Sequence, residues 1–369
     1  LTEVKSKQAV TVRAAATGLS PGSVKDVALG AKGVRVELKR LGRLVVKVLG
    51  ADGKPLPRVT IRTLTGADQP GSGDDLEVAQ GLLRAKARGV RVRLYGESDY
   101  REDFRRYLVA ASLGQREEPP RVRFAELKER VKPLSLDCEE VVGIPICYDE
   151  REGFMHHKFL VVDGRAVWTG STNMTWNAFA RNNENSLLLP SPTLAQGYAR
   201  EFEALFGGQK EGLGQPVAFA LEGVEGVAYF SPRGGRLARE ALLKRLSEAQ
   251  REVLVAAFVL TDREVLEALL QARRRGAEVK VLLETRNLGT SREEALLEEG
   301  LEVRQDANPY TMHHKVMLLD GTYVVTGSYN FSVRAHEVNN ENLLVLKSPS
   351  LAERYRKEVL RLWEAGSPL

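Results

Sequence analysis

Cysteine is nearly absent: two residues, Cys138 and Cys147, in a chain of 369. So few exclude a disulfide-built scaffold and any zinc site made of four thiolates. Long apolar runs are missing too. No stretch approaches the ~18 uninterrupted apolar residues that a membrane-spanning helix needs. Methionine is scarce, at Met155, Met174, Met312 and Met317, and the chain begins with Leu1. That pattern predicts a natural start removed upstream, by signal-peptide cleavage or trimming; the expected location is secreted or periplasmic, with the cytoplasm as the alternative. Nine residues apart, Cys138 and Cys147 fit a small-loop disulfide of an exported protein or two buried thiols. Charge of one sign is in small excess only, 54 Lys and Arg against 49 Asp and Glu, a net of +5. A solvated surface explains that balance as well as a polyanionic partner does. With 43% hydrophobic and 28% charged residues the chain is not disordered, and its length accommodates two domains.

What is present is a duplication. Residues 155–206 align with 312–363 at a constant offset of 157, with 25 identities in 52 positions and no gap. The copies read MHHKFLVVDGRAVWTGSTN…RNNENSLLLPSPTLAQGY and MHHKVMLLDGTYVVTGSYN…VNNENLLVLKSPSLAERY. Upstream, 76–94 matches the first nineteen residues of 263–283 at an offset of 187, so the first copy holds thirty more residues before its motif. The predicted organisation is an extra β-prone arm over 1–32, a first domain over 33–209 with an insertion at about 97–140, and a second domain over 210–369. GVRVEL (33–38) pairs with GVAYFS (226–231), and 39–50 with the helix 236–249, although Val45, Val46 and Val48 also suit a strand. Strands such as VLVAAFVL (253–260) alternate with helices, one of them opened by a Thr261–Glu264 capping box, and SPTLAQGYAREFEALF and SPSLAERYRKEVLRLW begin at Ser-Pro. Such alternation predicts two α/β domains with buried mixed sheets, joined near the Gly-rich 207–216.

Each copy sets polar residues in apolar strand sequence. Period-2 alternation in HHKFLVVD puts His156 and Lys158 on one face, with His157, Phe159, Val161 and Asp163 on the other. The same holds for His313 and Lys315 against His314 and Asp320. Gly170-Ser171 then delivers Asn173, Gly327-Ser328 delivers Asn330, and Glu184 and Glu341 lie in identical NNEN strings. Lysine and asparagine donate to phosphate oxygens, an imidazole attacks or protonates, and a carboxylate orients it. No metal or cofactor is called for. A zinc site on His156-His157 fails because adjacent strand residues point oppositely. One copy offers one imidazole, whereas cleavage through a covalent intermediate needs a nucleophile and an acid. Two copies packed about a pseudo-twofold axis supply both, within a monomer. Asp163 and Asp320 read as turn or salt-bridge residues, His336 as an ordinary histidine, and Trp168, Trp176 and Tyr329 as core rather than stacking residues.

These strings, H-x-K-x4-D followed by G-S-x-N and present twice, resemble the phospholipase D superfamily, and most closely its bacterial nuclease-like branch. The resemblance covers both halves from about residue 58. It implies a two-domain α/β sandwich with one shared site and a metal-independent phosphohistidine mechanism. One of His156 and His313, often the first in two-domain members, attacks phosphorus; the other protonates the leaving oxygen and then activates water or an alcohol. Lys158, Lys315, Asn173 and Asn330 would hold the phosphate, assisted by Ser171 and Ser328, while Glu184 and Glu341 orient the histidines. Retention of both motif aspartates argues against the tyrosyl-DNA phosphodiesterase branch. The expected function is a nuclease acting on DNA or RNA, with a phospholipase or phosphatidyltransferase acting on phospholipid as the alternative and a catalytically dead nucleic-acid-binding module as a third reading. The runs 84–93 and 273–275 are candidates to hold a nucleic-acid backbone or simply helix-ending cations. Residues 101–114 are the candidate lipid-docking segment, or a core helix.

Overall fold

The computed structural model describes residues 76–116 and 120–369 in full, and the backbone of three strands before them, 10–14, 22–27 and 61–65. The comparisons of 33–38 with 226–231 and of 39–50 with a helix lie outside the described residues. Strands β1 (Val10–Ala14) and β2 (Gly22–Val27) form an antiparallel pair of their own.

Two sheets dominate. The first contains β3 (Ile61–Thr65), β4 (Arg93–Glu97), β5 (Val131–Pro133), β6 (Cys138–Val141), β7 (Ile144–Asp149), β8 (Phe159–Val162), β9 (Ala166–Gly170) and β10 (Ser186–Leu189), in the order β10-β9-β8-β3-β4-β7-β6-β5. The second contains β11 (Val217–Leu221), β12 (Val224–Ser231), β13 (Glu252–Ala257), β14 (Glu278–Leu283), β15 (Glu302–Gln305), β16 (Lys315–Leu319), β17 (Tyr323–Gly327), β18 (Glu341–Lys347) and β19 (Ser367–Pro368), ordered β11-β12-β18-β17-β16-β13-β14-β15-β19. The run β10-β9-β8-β3-β4-β7 repeats as β18-β17-β16-β13-β14-β15 with the same directions: β3, β4 and β7 run parallel, as do β13, β14 and β15, and the rest are antiparallel. Duplication of sequence is therefore duplication of a mixed α/β sheet.

Three apolar layers hold the halves. Helices Leu76–Ala87 and Arg101–Ser112 cover the outer face of the first sheet, and Gly235–Glu248 with Arg263–Arg274 cover that of the second. The middle layer is continuous between the sheets: Phe159, Tyr198, Phe202 and Leu205 pack in one cluster with Phe230, Leu344, Tyr355 and Trp363. It is built on Pro192–Phe206 and Pro349–Ala365, each capped by the serine before its first proline as the Ser-Pro pattern predicts. Burying one face of each sheet against the other makes the two copies one body.

Two local readings need correction, and one open alternative closes. The strand at 253–260 ends at Ala257, and the helix after it is capped by Asp262, which accepts from Glu264 N at 3.0 Å, not by Thr261. Asp262 is preferred because Arg239 also bonds its carboxylate, at 2.6 and 2.8 Å, which fixes the side chain. Residues 101–112 form a core helix burying Phe104, Tyr107, Leu108, Val109 and Ala110, so they are not free to dock on lipid. Beyond this helix the stretch before β7 adds helix Phe124–Arg130 and the β5–β6 hairpin, which widens the first sheet. Cys138 and Cys147 face each other on β6 and β7 and are joined as a disulfide.

Candidate active site

Both motifs begin just before a strand rather than in it. β8 starts at Phe159 and β16 at Lys315, so period-2 alternation does not govern the histidines. They are placed by the other half of the molecule. His156 N donates to Asn340 O and Asn340 N to Phe154 O, at 3.0 and 2.9 Å; His313 N donates to Asn183 O and Asn183 N to Thr311 O, at 3.0 and 2.8 Å. Each NNEN string thus forms a short parallel bridge with the opposite motif.

The side chains cross in the same way. Nδ1 of His156 lies 2.6 Å from Oε2 of Glu341, and Nδ1 of His313 lies 2.8 Å from Oε1 of Glu184. Every one of these four groups is buried. A carboxylate on Nδ1 fixes the tautomer and turns Nε2 away, towards whatever the imidazole is to act on. The final Asn of each string crosses too. Asn185 Oδ1 accepts from Thr326 Oγ1 at 2.7 Å and from the Tyr355 hydroxyl at 2.9 Å, while Asn342 Nδ2 donates to Thr169 Oγ1 at 2.9 Å and to the Tyr198 hydroxyl at 3.0 Å. Residue i of one copy meets j of the other and the reverse also holds, which is the signature of a twofold interface.

The remaining motif residues divide by role. Lys158 Nζ donates to His156 O at 2.8 Å and Lys315 Nζ to His313 O at 3.1 Å. The carboxamide oxygens of Asn173 and Asn330 are buried and accept no hydrogen bond. Ser171 and Ser328 stand differently from the expectation that they assist at phosphate. Ser171 Oγ donates to Glu184 Oε2 at 2.6 Å and accepts from Asn185 N at 3.0 Å, and Ser328 Oγ accepts from Asn342 N at 2.9 Å. They brace the NNEN strings. The preceding glycines are required by close approach: a Cβ on Gly170 would stand 2.1 Å from Asn185 O, and one on Gly327 2.2 Å from Asn342 O. Asp163 and Asp320 adopt φ of 51° and 53° at the first centre of Asp-Gly turns, the type I′ geometry that joins twisted strands. Asp320 also accepts from the amides of Gln250, Arg251 and Glu252, tying its hairpin to β13.

His157 and His314 are buried at the interface. His157 packs edge-on to Phe159 and Phe230, and burial pulls its pKa down to about 3. His336 is buried 3.7 Å from Asp262. Trp168 and Tyr329 are core residues, but Trp176, first in the helix Trp176–Ala180, is exposed. The basic runs 84–93 and 273–275 are not at the site. Apart from Arg93, which opens β4, they lie at helix ends ahead of β4 and β14, whereas the site lies beyond the far ends of those strands, roughly 15–20 Å away for five or six residues of strand.

Three residues in the sequence escaped notice. Phe258 packs its ring 4.7 Å from that of His313 and 4.6 Å beneath Lys315 Nζ. Glu97 and Glu284, 187 apart like the helices that precede them, accept from Met155 N at 2.8 Å and Met312 N at 2.6 Å. Burial pushes both up to about 7, aided by Asp149 beside the first and Asp306 beside the second. Burial likewise lifts Glu201, which holds Leu213 and Gly214 N, to about 7.

These shifts predict a pH-dependent stability. A carboxyl raised from 4.5 to about 7 in the fold favours folding below pH 4.5, and that contribution is lost as pH rises to about 7. Each is worth roughly 3 kcal/mol at most. His157 acts oppositely, gaining stability as pH rises through its unfolded value, but one group opposes three. Urea unfolding at pH 5 and pH 8 is expected to show lower stability at pH 8. Glu201→Gln should shrink that difference by about 1–3 kcal/mol; an unchanged difference would contradict the assignment.

Comparison with known proteins identifies the family. The family described as "Cardiolipin synthase, PLD-like domain" matches residues 69–206 and 242–363. A mitochondrial cardiolipin hydrolase of Xenopus laevis is 36% identical over 129 residues, 34% of this chain and 61% of that protein. The chain therefore spans somewhat under two thirds of that relative's length. A phospholipase D family member, Nuc from Salmonella typhimurium, is 30% identical across 40% of this chain and 98% of its own, with a TM-score of 0.38. Phosphatidylserine synthase of Haemophilus influenzae shares the fold at 13% identity, covering 85% of this chain and 82% of its own with a TM-score of 0.57. With both motif copies inside the matched segments, the chain belongs to the phospholipase D superfamily and has phosphodiester chemistry as its inheritance.

Proposed function

We propose that the protein is a metal-independent phosphodiesterase that cleaves nucleic acid through a covalent phosphohistidine. Nε2 of one motif histidine attacks phosphorus as the P–O bond to the leaving group breaks, and the second, protonated histidine gives its proton to that oxygen. The second histidine, now neutral, takes a proton from water; the hydroxyl attacks phosphorus and the N–P bond breaks, which restores both imidazoles. Lys158, Lys315, Asn173 and Asn330 stabilise charge on the non-bridging oxygens.

The observation that carries nucleic acid over lipid is the rim. Exposed Arg181, Arg286 and Arg334 contact the chain near the motifs: Arg181 lies 4.9 Å over the Tyr310 ring, Arg286 Nη1 donates to Thr311 Oγ1 at 3.0 Å, and Arg334 Nη2 donates to Glu152 O at 3.4 Å. Tyr310, under the Arg181 guanidinium, is exposed, as are Phe154, two residues before His156, and Trp176, in the helix that Arg181 ends. Guanidinium groups for phosphates interleaved with aromatic faces for bases suit a single strand.

One observation favours a phospholipid substrate. The β5–β6 turn exposes Leu134 and Leu136, and it lies at the end of β7 from which the chain runs to His156. Together with kinship to a cardiolipin hydrolase, an apolar tip there suits a lipid surface. Incubation with single- and double-stranded DNA, RNA, and cardiolipin or phosphatidylcholine vesicles in excess EDTA separates the readings. Cleavage of nucleic acid, weakened several-fold in Arg181→Ala and strongly reduced by salt, is the expected result. Lipid hydrolysis alone would replace this reading with the second, and binding without turnover would leave a dead module.

A further inference from the structure

We propose that Glu97 and Glu284 are positioning residues that aim the two motif histidines by gripping the backbone amide immediately before each. The inference concerns the phosphodiesterase site above and rests on that reading for its kinetic consequence, not for its geometry.

The segment 154–156 is not in a strand of its own sheet, yet it must present an imidazole accurately. Its bonds to Asn339 and Asn340 come from the other half: Phe154 N donates to Asn339 Oδ1 at 3.2 Å, Asn340 N donates to Phe154 O, and Asn340 O accepts from His156 N. Glu97 supplies the tie to its own half. Its Oε2 takes Met155 N at 2.8 Å and its Oε1 takes Ser98 N at 3.0 Å, so one carboxylate clamps the motif to the end of β4. Glu284 repeats the clamp beyond the end of β14. Its Oε2 takes Met312 N at 2.6 Å and its Oε1 takes Arg286 N at 3.3 Å.

A carboxylate is an expensive choice for such a grip. Both glutamates are almost fully buried, 3% and 1% exposed, with Asp149 and Asp306 nearby. A permanently neutral acceptor would avoid the burial cost that pushes both carboxyls up to about 7. Retention in both diverged copies, at the ends of the equivalent strands β4 and β14 and on the amide of the same Met-His pair, points to geometry as the function. The clamp accepts two bonds at once and cannot move without releasing either the strand end or the motif. A shift of about 1 Å in a reacting group lowers rates by roughly 10²-fold.

The test compares Glu284→Ala with Glu284→Gln. Alanine leaves Met312 N buried without its acceptor, whereas the glutamine amide oxygen can still take it. With bis(p-nitrophenyl) phosphate, Glu284→Ala is expected to lower kcat roughly 10- to 100-fold with KM changed less than about threefold, and Glu284→Gln to restore kcat to within about threefold of wild type. The second readout needs no turnover. The proton on His313 Nδ1, held against Glu184, is followed by nitrogen-edited NMR; it is expected to shift or broaden in Glu284→Ala and to stay in place in Glu284→Gln. Were the wild type to turn over no phosphodiester, the functional reading would fail and the ring proton would still decide the clamp. An unmoved proton with unchanged kcat in Glu284→Ala would overturn it, as would equal losses in alanine and glutamine at equal folded fraction. If Glu284→Ala does not fold, the Glu97 pair gives the same comparison, read on His156.

Discussion

Alanine at His156 or at His313 is expected to reduce phosphodiester turnover on the order of 10³-fold or more, with the double variant little worse than either single one. The two imidazoles work as a unit: one makes the N–P bond, and the other manages the protons of bond-breaking and hydrolysis. Removing either leaves the other without its complement, so the losses do not add. The singles differ on a substrate whose leaving group needs no proton. With bis(p-nitrophenyl) phosphate, the variant that keeps the nucleophile still forms the phosphoenzyme and stalls there, because no imidazole activates water. The variant lacking the nucleophile forms none. Rapid quenching into alkali, followed by mass measurement of the 156- and 313-containing peptides, identifies the attacking residue. Each histidine leans on a carboxylate from the opposite half, so both sites are supported alike by geometry. Their surroundings differ, with Phe258 against His313 and Phe159 and Phe230 beside the neighbouring His157. Equal labelling of both peptides in the wild type, or label on neither, would contradict a single covalent intermediate.

Much of the site was legible because the chain is written twice. A constant offset identifies which polar residues belong together, and it pointed to His156 with His313, Lys158 with Lys315 and Glu184 with Glu341. It could not show that partners cross. A repeat reports what each copy contains, whereas the pairing of Glu341 with His156 depends on how two finished sheets pack through Phe159, Tyr198, Phe230 and Tyr355. Alternation misled at His156 and His313 for a related reason. Period-2 logic holds inside a strand, and these residues sit ahead of β8 and β16, in chain held by the NNEN strings and by Glu97 and Glu284. Glu97 and Glu284 had a usable signal: they end the strand sequences VRVRLYGE and VKVLLE at the 187-residue offset. The Arg-rich helix ends could be read as a phosphate track or as helix-ending cations because sequence alone does not say which edge of a parallel sheet holds the site. The chain direction of β4 and β14 puts them at the wrong edge.

Glu341→Gln carries the other large effect. Glu341 is wholly buried and stands 2.6 Å from His156 Nδ1. Glutamine keeps the volume but removes the charge that stabilises an imidazolium, and its amide can offer a donor where an acceptor is needed, favouring the wrong tautomer. Loss of a comparable buried carboxylate behind a catalytic histidine costs about 10⁴ in kcat, so a fall of roughly 10²- to 10⁴-fold with little change in KM is expected here. Glu184→Gln should cost less. Each glutamate accepts from the asparagine two residues before it, Asn182 Nδ2 at 3.3 Å and Asn339 Nδ2 at 3.5 Å, but Glu184 also takes the Ser171 hydroxyl at 2.6 Å, so less of its charge is directed at His313. The crossing has its own signature, independent of rate. In Glu341→Gln the ring proton of His156 should move and that of His313 stay; in Glu184→Gln the reverse should hold. Pairing within each half predicts the opposite pattern, so the two spectra decide between one interlocked site and two self-contained ones. Interlocking also explains why the halves need one continuous apolar layer: any slippage between the sheets would separate each imidazole from its carboxylate and leave a buried charge unpaired.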